Sequence, residues 1–294
     1  MLTAEGAPRL TPSWQRTEPL LICTAHAHGV RVVYCVDTLP EFVNGPQLAL
    51  LRNSSARTRA ARGLAAAADR YGFDGIQLDF EGITAGGDEG GLYVDFVHEL
   101  QRSLTAPEHR VTVTVPAHTA AAQAFPLGAL ATAADAVVVL AYDMASPTHP
   151  GYNALHPANS PLPGVRELLA ALPAQGLLPN RTILAVPWFG MQYRCRNGSS
   201  WEAGGCDRLP AGEQVSYWEL KAFRANMRGC SWRWDDATST PFYRCQTARR
   251  RDGGWHCGAP SAAAVGAAPA GCEGWFDDAK SLGMKYSLAR QMGL

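Results

Sequence analysis

The sequence has no surplus of charge: 26 Lys and Arg stand against 26 Asp and Glu in 294 residues. Without a basic excess there is little to neutralise phosphates, which removes the usual electrostatic case for a nucleic-acid or anionic-membrane partner. Long apolar runs are missing too. No stretch approaches the roughly 18 residues that a membrane span needs. The opening MLTAEGAPRLTPSWQRTEPLLIC has no charged segment followed by a continuous apolar one, so it carries no recognisable export signal. Charged residues are scarce at 18% against 47% hydrophobic, a balance that excludes disorder and suffices for the core of one large globular domain. The eight cysteines contain no paired C-x-x-C spacing, which argues for disulfides over a structural zinc site.

What is present points to an oxidising, glycosylating compartment. Five of the cysteines fall between Cys206 and Cys272, and N-x-S/T sequons occur at Asn53, Asn180 and Asn197. The lack of an export signal conflicts with that, so the N-terminus is expected not to be the natural start of the full protein.

From about residue 31 to 188, short β-branched runs alternate with Ala-rich helical stretches. The strand candidates are VRVVYCVD (about 31–37), FDGIQLDFE (73–81), VTVTVP (111–116), AVVVLAYD (136–143) and TILAVPWFG (182–190). Between them RTRAARGLAAAADRYG, YVDFVHELQRSL and VRELLAALPAQG can each form a helix that returns the chain for another parallel strand. The class is α/β, and either a barrel or an open doubly wound sheet fits. After Gly190 the chain becomes aromatic, Cys-rich and Gly-rich as far as about Trp275, which reads as an insertion with a loop around APSAAAVGAAPAG. Helical spacing returns in DDAKSLGMKYSLARQMGL.

Within FDGIQLDFEG, Ile76, Leu78 and Phe80 share one face of a strand while Gln77, Asp79 and Glu81 share the other. Same-face neighbours sit about 7 Å apart, close enough for two carboxylates to push one pKa upward, as a general acid needs. The alternative is that Asp79 and Glu81 are strand-end residues paired with Arg or capping the next helix.

DGIQLDFE closely resembles the DGxDxDxE signature of the family 18 glycoside hydrolases, with Asp74, Gly75, Asp79 and Glu81 matching and Gln77 in place of an Asp. That amide is similar to the di-N-acetylchitobiase branch of the family. CTAHAHGVRVV, ADAVVVLAYDMAS, TILAVPWFGMQYRC, GEQVSYWEL and GWFDDAKS appear in the same order as in that branch. The resemblance implies one family 18-like domain over residues 19–294, with an insertion at about 190–276, behind an irregular segment 1–18. It also implies an incomplete (β/α)8 barrel whose strands correspond to the third through the seventh. An insertion of about 85 residues leaves too few for eight βα units of typical size, roughly 250 residues in all, so a truncated, poorly stable and weakly active chain is expected.

By the same resemblance the substrate is a β-1,4-linked N-acetylglucosamine oligosaccharide, with no cofactor, no metal and a monomeric protein in the lysosome or secreted. Glu81 is implied as acid and base. Asp79 would orient the acetamido N–H, with Gln77 hydrogen-bonding Asp79, and Tyr142 would hold the attacking carbonyl. Asp143 would bind the sugar, or else cap a helix before MAS. Trp188 and Trp275 would stack on sugar or fill the core, and Trp232 and Trp234 would fill the core of the insertion.

Two competing functions remain at this point. One is a non-catalytic glycan-binding member of the family, disfavoured by the presence of Glu81. The other is a metal-dependent amidohydrolase-type barrel, suggested by His26-Ala-His28 with His118 and Asp143. Against the second, LLICTAHAHG reads as the end of a helix closed by Gly29.

Overall fold

The structure, a computed structural model, describes residues 14–37, 46–80, 83, 88–117, 125–144, 157–195, 200, 205–206, 213–226, 230–249, 255–257 and 271–294. The chain divides into two compact units. The first comprises Met1–Leu140, Ala170–Leu184 and Gly293–Leu294, and the second Ala141–Leu169 and Ala185–Met292.

The first unit is built on a parallel sheet whose spatial order follows the chain: β1 (Val33–Asp37), β2 (Gly75–Asp79), β3 (Arg110–Pro116), β4 (Ala136–Leu140) and β5 (Thr182–Ala185). Helix α1 (Trp14–Ala27) precedes it. Helices α2 (Pro46–Arg52) and α3 (Ser54–Tyr71) connect β1 to β2. Helix α4 (Glu89–Ser103) connects β2 to β3, α5 (Leu127–Ala133) leads into β4, and α6 (Leu162–Ala171), which up to Leu169 belongs to the second unit, precedes β5 in the chain. Sequential parallel strands with helical crossovers match part of a (β/α)8 barrel, so the open doubly wound alternative, which reverses its strand order, does not describe this sheet.

Local sequence explains the pieces. Asn53 caps α3 by accepting the Ala56 N–H at 3.1 Å. Ala56, Ala60, Ala61, Leu64 and Ala68 supply a narrow buried stripe along that helix. Glu99 on α4 then joins the two helices, accepting from Arg57 Nε and Thr58 Oγ1 at 3.0 Å each. Tyr93, Phe96, Val97 and Leu100 are the buried side of α4, and Phe80 stacks on Tyr93 and Phe96. Helix α1 reaches back to Trp14, into the stretch that the sequence pattern gives as irregular. It ends as expected, with Gly29 in the left-handed region at φ 67°.

In the second unit the Cys-rich region forms an antiparallel sheet. It contains β6 (Phe189–Cys195), β7 (Glu213–Ser216), β9 (Thr240–Arg249), β10 (Trp255–Cys257) and β11 (Gly271–Trp275) in the order β10-β9-β11-β6-β7, with β8 (Ser231–Asp235) beside β9. Helix α7 (Tyr217–Asn226) follows β7, and α8 (Ala279–Gln291) closes the chain behind a capping box between Asp278 and Ser281. One face of the sheet buries Tyr193, Cys195, Cys206, Phe242 and Trp275, and another cluster holds Val215, Leu220, Tyr243, Cys245, Cys272 and Phe276. Disulfides join Cys195 to Cys206 and Cys230 to Cys245, and Cys272 is also disulfide-bonded. Trp232 packs on Tyr243 and Phe276, while Trp234 lies beneath the Lys280 ammonium.

TILAVPWFG, read as one strand, is two. The parallel strand ends at Ala185 and the antiparallel one begins at Phe189. Pro187 lies between them and has no N–H to offer a ladder.

Candidate active site

In the first unit β2 buries Ile76 and Leu78, with Phe80 following, and turns Gln77 and Asp79 the other way. Asp79 is half-buried, and its carboxylate accepts from the hydroxyl of Thr114, itself buried on β3. Leu78 pairs with Val113, so Asp79 and Thr114 are the next neighbours across the sheet. Hydrogen bonds to an ionised acceptor are the stronger class, and this one fixes the carboxylate's orientation.

Gln77 does not bond Asp79 as expected. Its Nε2 lies 3.7 Å from Cys35 Sγ on β1, and its Oε1 accepts from Thr112 Oγ1 on β3 at 3.4 Å. Both are its register partners. Neighbouring strands are about 4.8 Å apart, whereas residues two apart along one strand are about 7 Å apart. The amide therefore reaches sideways more readily than along β2.

Behind the strand, the Tyr93 hydroxyl donates to the Leu78 carbonyl at 3.2 Å. Burial, then the charges of Asp79 and Cys35, push that phenol well above its ordinary value, so it stays a neutral donor. Asp74 serves the fold. Burial pushes its carboxyl up, but the Val32 N–H, the His26 ring at 2.9 Å and the His26 and Arg31 charges outweigh this and hold it below the usual range. Gly75 is required where it stands, since a Cβ there would sit 2.2 Å from the Arg110 carbonyl oxygen on the adjoining strand.

The His26-Ala-His28 pattern lies at the end of α1 and not at a strand end, with His26 committed to Asp74. Among the described residues the group with metal-ligand geometry is Cys195, Cys206 and Glu273, whose two sulfurs form a disulfide. Among the described residues, no group with metal-ligand geometry includes His26, His28 or Asp143. Glu81 and His118 lie outside the described residues.

In the second unit, the chain beyond β4 runs through Ala141, Tyr142, Asp143 and Met144. The Ala141 N–H donates to Ala185 O at 2.9 Å. The half-buried Tyr142 ring meets Phe189 edge-on at 5.7 Å. Asp143 is half-buried in a left-handed conformation at φ 53°, and its N–H donates to Asn159 Oδ1 at 2.8 Å. The residues after Met144, on which a capping role for Asp143 would depend, lie outside the described ones. Tyr193 donates its hydroxyl to Pro157 O at 3.0 Å. Burial, then the charge of Asp143, push its phenol far up.

Trp188 is 69% exposed, edge-on to Tyr217 at 6.2 Å. Trp275 is 2% exposed, stacked on Phe242 at 4.4 Å with its Nε1 donating to Glu273. It is core and has no face for a sugar, which corrects one of its two expected roles. Asn53 and Asn180 are exposed, and Asn197 lies outside the described residues. Sequence reasoning missed Thr114, Asn159 and Tyr193. The alternation of VTVTVP offered a signal for the first, since it puts Thr112 and Thr114 on one face.

The sequence matches the family described as glycosyl hydrolases family 18 over residues 46–294. It is 24% identical over 304 residues to the di-N-acetylchitobiase of Mus musculus, covering 94% of this chain and 71% of that protein. The fold is similar to that of the Group IV chitinase of Ostrinia furnacalis (TM-score 0.76, 17% identity, 100% of this chain and 80% of that one). It is also similar to that of a Cycas revoluta chitinase solved with (GlcNAc)3 (TM-score 0.72, 21% identity, 97% and 80%).

Proposed function

The chain belongs to family 18 of the glycosyl hydrolases, and on that premise we propose that it hydrolyses β-1,4-linked N-acetylglucosamine in short oligosaccharides, in the manner of a di-N-acetylchitobiase. The observation that carries this reading is the Asp79 carboxylate, oriented by Thr114 at the C-terminal end of a parallel strand, where α/β barrels put their chemistry. Glu81 follows two residues later in the chain.

Most glycosidases flank the bond with two carboxylates, but here Asp79 and Glu81 are only two positions apart in the sequence, which suits the substrate-assisted exception. The acetamido oxygen of the substrate attacks the anomeric carbon while the glycosidic bond breaks. Glu81 delivers its proton to the leaving oxygen. Asp79 accepts the acetamido N–H and balances the positive oxazolinium, an electrostatic contribution of about 3 kcal/mol in such sites. Water then opens the ring, returning a proton to Glu81 and retaining the anomeric configuration. Tyr142 holds the acetamido oxygen, Asp143 binds the sugar and Trp188 stacks on it, while Gln77 acts at one remove by keeping the floor of the strand in register.

The test is release of N-acetylglucosamine from N,N'-diacetylchitobiose at mildly acidic pH by the parent chain and by Glu81→Gln, which keeps the shape without the proton. Release by the parent alone supports the reading. No release, with oligosaccharide binding retained, moves the assignment to a glycan-binding relative.

We further propose a monomer in the lysosome or secreted. The two paired disulfides and the exposed Asn53 and Asn180 support this. A mass decrease on enzymatic deglycosylation of protein expressed through the secretory route checks it.

A further inference from the structure

We propose that Asn159 is a positioning residue for the reaction, its side-chain oxygen holding Asp143 in the left-handed conformation that sets where the Tyr142 and Asp143 side chains point. This rests on the proposed hydrolysis.

The ordinary sheet ladder does not reach these residues. Strand β4 ends at Leu140, and after the Ala141 bond to Ala185 the main chain must find other partners. The segment Pro157–Ser160 supplies them. Ser160 Oγ donates to Ala141 O at 2.6 Å, Asn159 Oδ1 accepts from Asp143 N at 2.8 Å, and Asn159 O accepts from Met144 N at 3.0 Å. Asn159 thus receives two consecutive N–H groups, one with its side chain and one with its main chain. Pro157 O takes the hydroxyl of Tyr193, the phenol that feels the charge of Asp143.

Two features mark this as more than packing. A non-glycine residue at φ 53° persists only where its surroundings over-determine it, and such residues gather at functional sites. Asn159 is also 2% exposed, and its Nδ2 has no hydrogen-bond partner among the described residues. A buried amide that uses only its oxygen is costly, and an apolar side chain of the same shape would avoid that cost. What the amide supplies there is an acceptor, and it is used by the Asp143 N–H.

Asparagine to leucine keeps the volume and removes the acceptor, whereas Asn159→Asp keeps the acceptor. On chitobiose, N159L is expected to lower kcat about 10- to 100-fold, the scale of a small misplacement of reacting groups, with a smaller rise in KM from the displaced sugar contact of Asp143. N159D should recover much of the loss. In an Asp143→Ala background N159L should cost less than it does alone, because only its effect on Tyr142 remains. A wild-type kcat in N159L, a loss confined to KM, or losses that multiply in the double variant would overturn the proposal. Should N159L not fold, Asn159→Ser, whose hydroxyl is too short to reach, replaces it. Crystal structures read the same point without turnover: Asp143 should leave the left-handed region in N159L and keep it in N159D. An unchanged Asp143 in N159L overturns the positioning role, whereas a parent chain without hydrolysis overturns only the assigned reaction.

Discussion

Thr114 donates its hydroxyl to the carboxylate of Asp79 across the β2–β3 pair, from a position with almost no solvent exposure. The donor cannot be replaced by water without rearranging the sheet, so the pair fixes a charge at the strand end before substrate arrives.

Thr114→Val tests this relationship, since it preserves shape and deletes the donor. It should destabilise the protein by about 1.5–3 kcal/mol, the range for a hydrogen bond to a charged group. Turnover should fall by roughly 10-fold or more as one preorganised contact is lost. Thr114→Ser should restore most of both. Chemical denaturation and chitobiose hydrolysis on the three proteins give the answer, and a T114V protein with parental kcat removes Thr114 from the site.

Asp74 makes acid sensitivity predictable. Its carboxyl is held below the ordinary range in the folded chain, so the unfolded chain takes up a proton first as pH drops. The contribution is complete above the unfolded value of about 4 and is lost as pH falls through the folded one. Asp74→Asn should therefore lower the melting temperature at pH 6 and flatten its decline below about pH 4. Melting curves from pH 3 to 7 check both the offset and the slope.

Much of this was legible. The five parallel strands announce themselves through β-branched runs spaced by helical crossovers, whereas Asp79, Tyr142 and Asp143 are candidates named through a resemblance to family 18. Pairing partners were not legible, because register is set by contacts far apart in sequence. Thr114 reaches Asp79 over 35 positions and Asn159 reaches Asp143 over 16. The antiparallel sheet was hidden for a related reason. GCEGW has little intrinsic preference for strand, yet it lies between β6 and β9 with Tyr243 packed over Gly274. Its disulfide partners likewise depend on the fold, and spacing alone leaves many pairings open.

Trp188 offers a test of substrate contact apart from chemistry. An exposed indole beside Tyr217 can lie against the apolar face of a pyranose without moving its neighbours. Trp188→Ala should raise KM for chitobiose several-fold with kcat nearly unchanged, the pattern of lost uniform binding. Since the side chain is exposed, its removal should shift the melting temperature little, and steady-state kinetics with a melting curve separate the two effects. A loss in kcat alone would remove Trp188 from ground-state binding.

A buried ion pair ties the final helix to the turn before it. Lys285 on α8 is fully buried and bonded to Asp277, buried as well, in the turn that follows Trp275 and Phe276. Burial alone pulls the ammonium pKa down, and the Asp277 and Asp278 charges oppose it, so charge is kept inside by the pairing. Removing one partner leaves the other charge stranded. Lys285→Met should cost about 3–5 kcal/mol, while pairing it with Asp277→Leu should recover a large part, because two apolar groups strand no charge. The two variants in a denaturation series decide the matter: equal destabilisation in the single and the double would mean that the loss comes from packing and not from an uncompensated carboxylate.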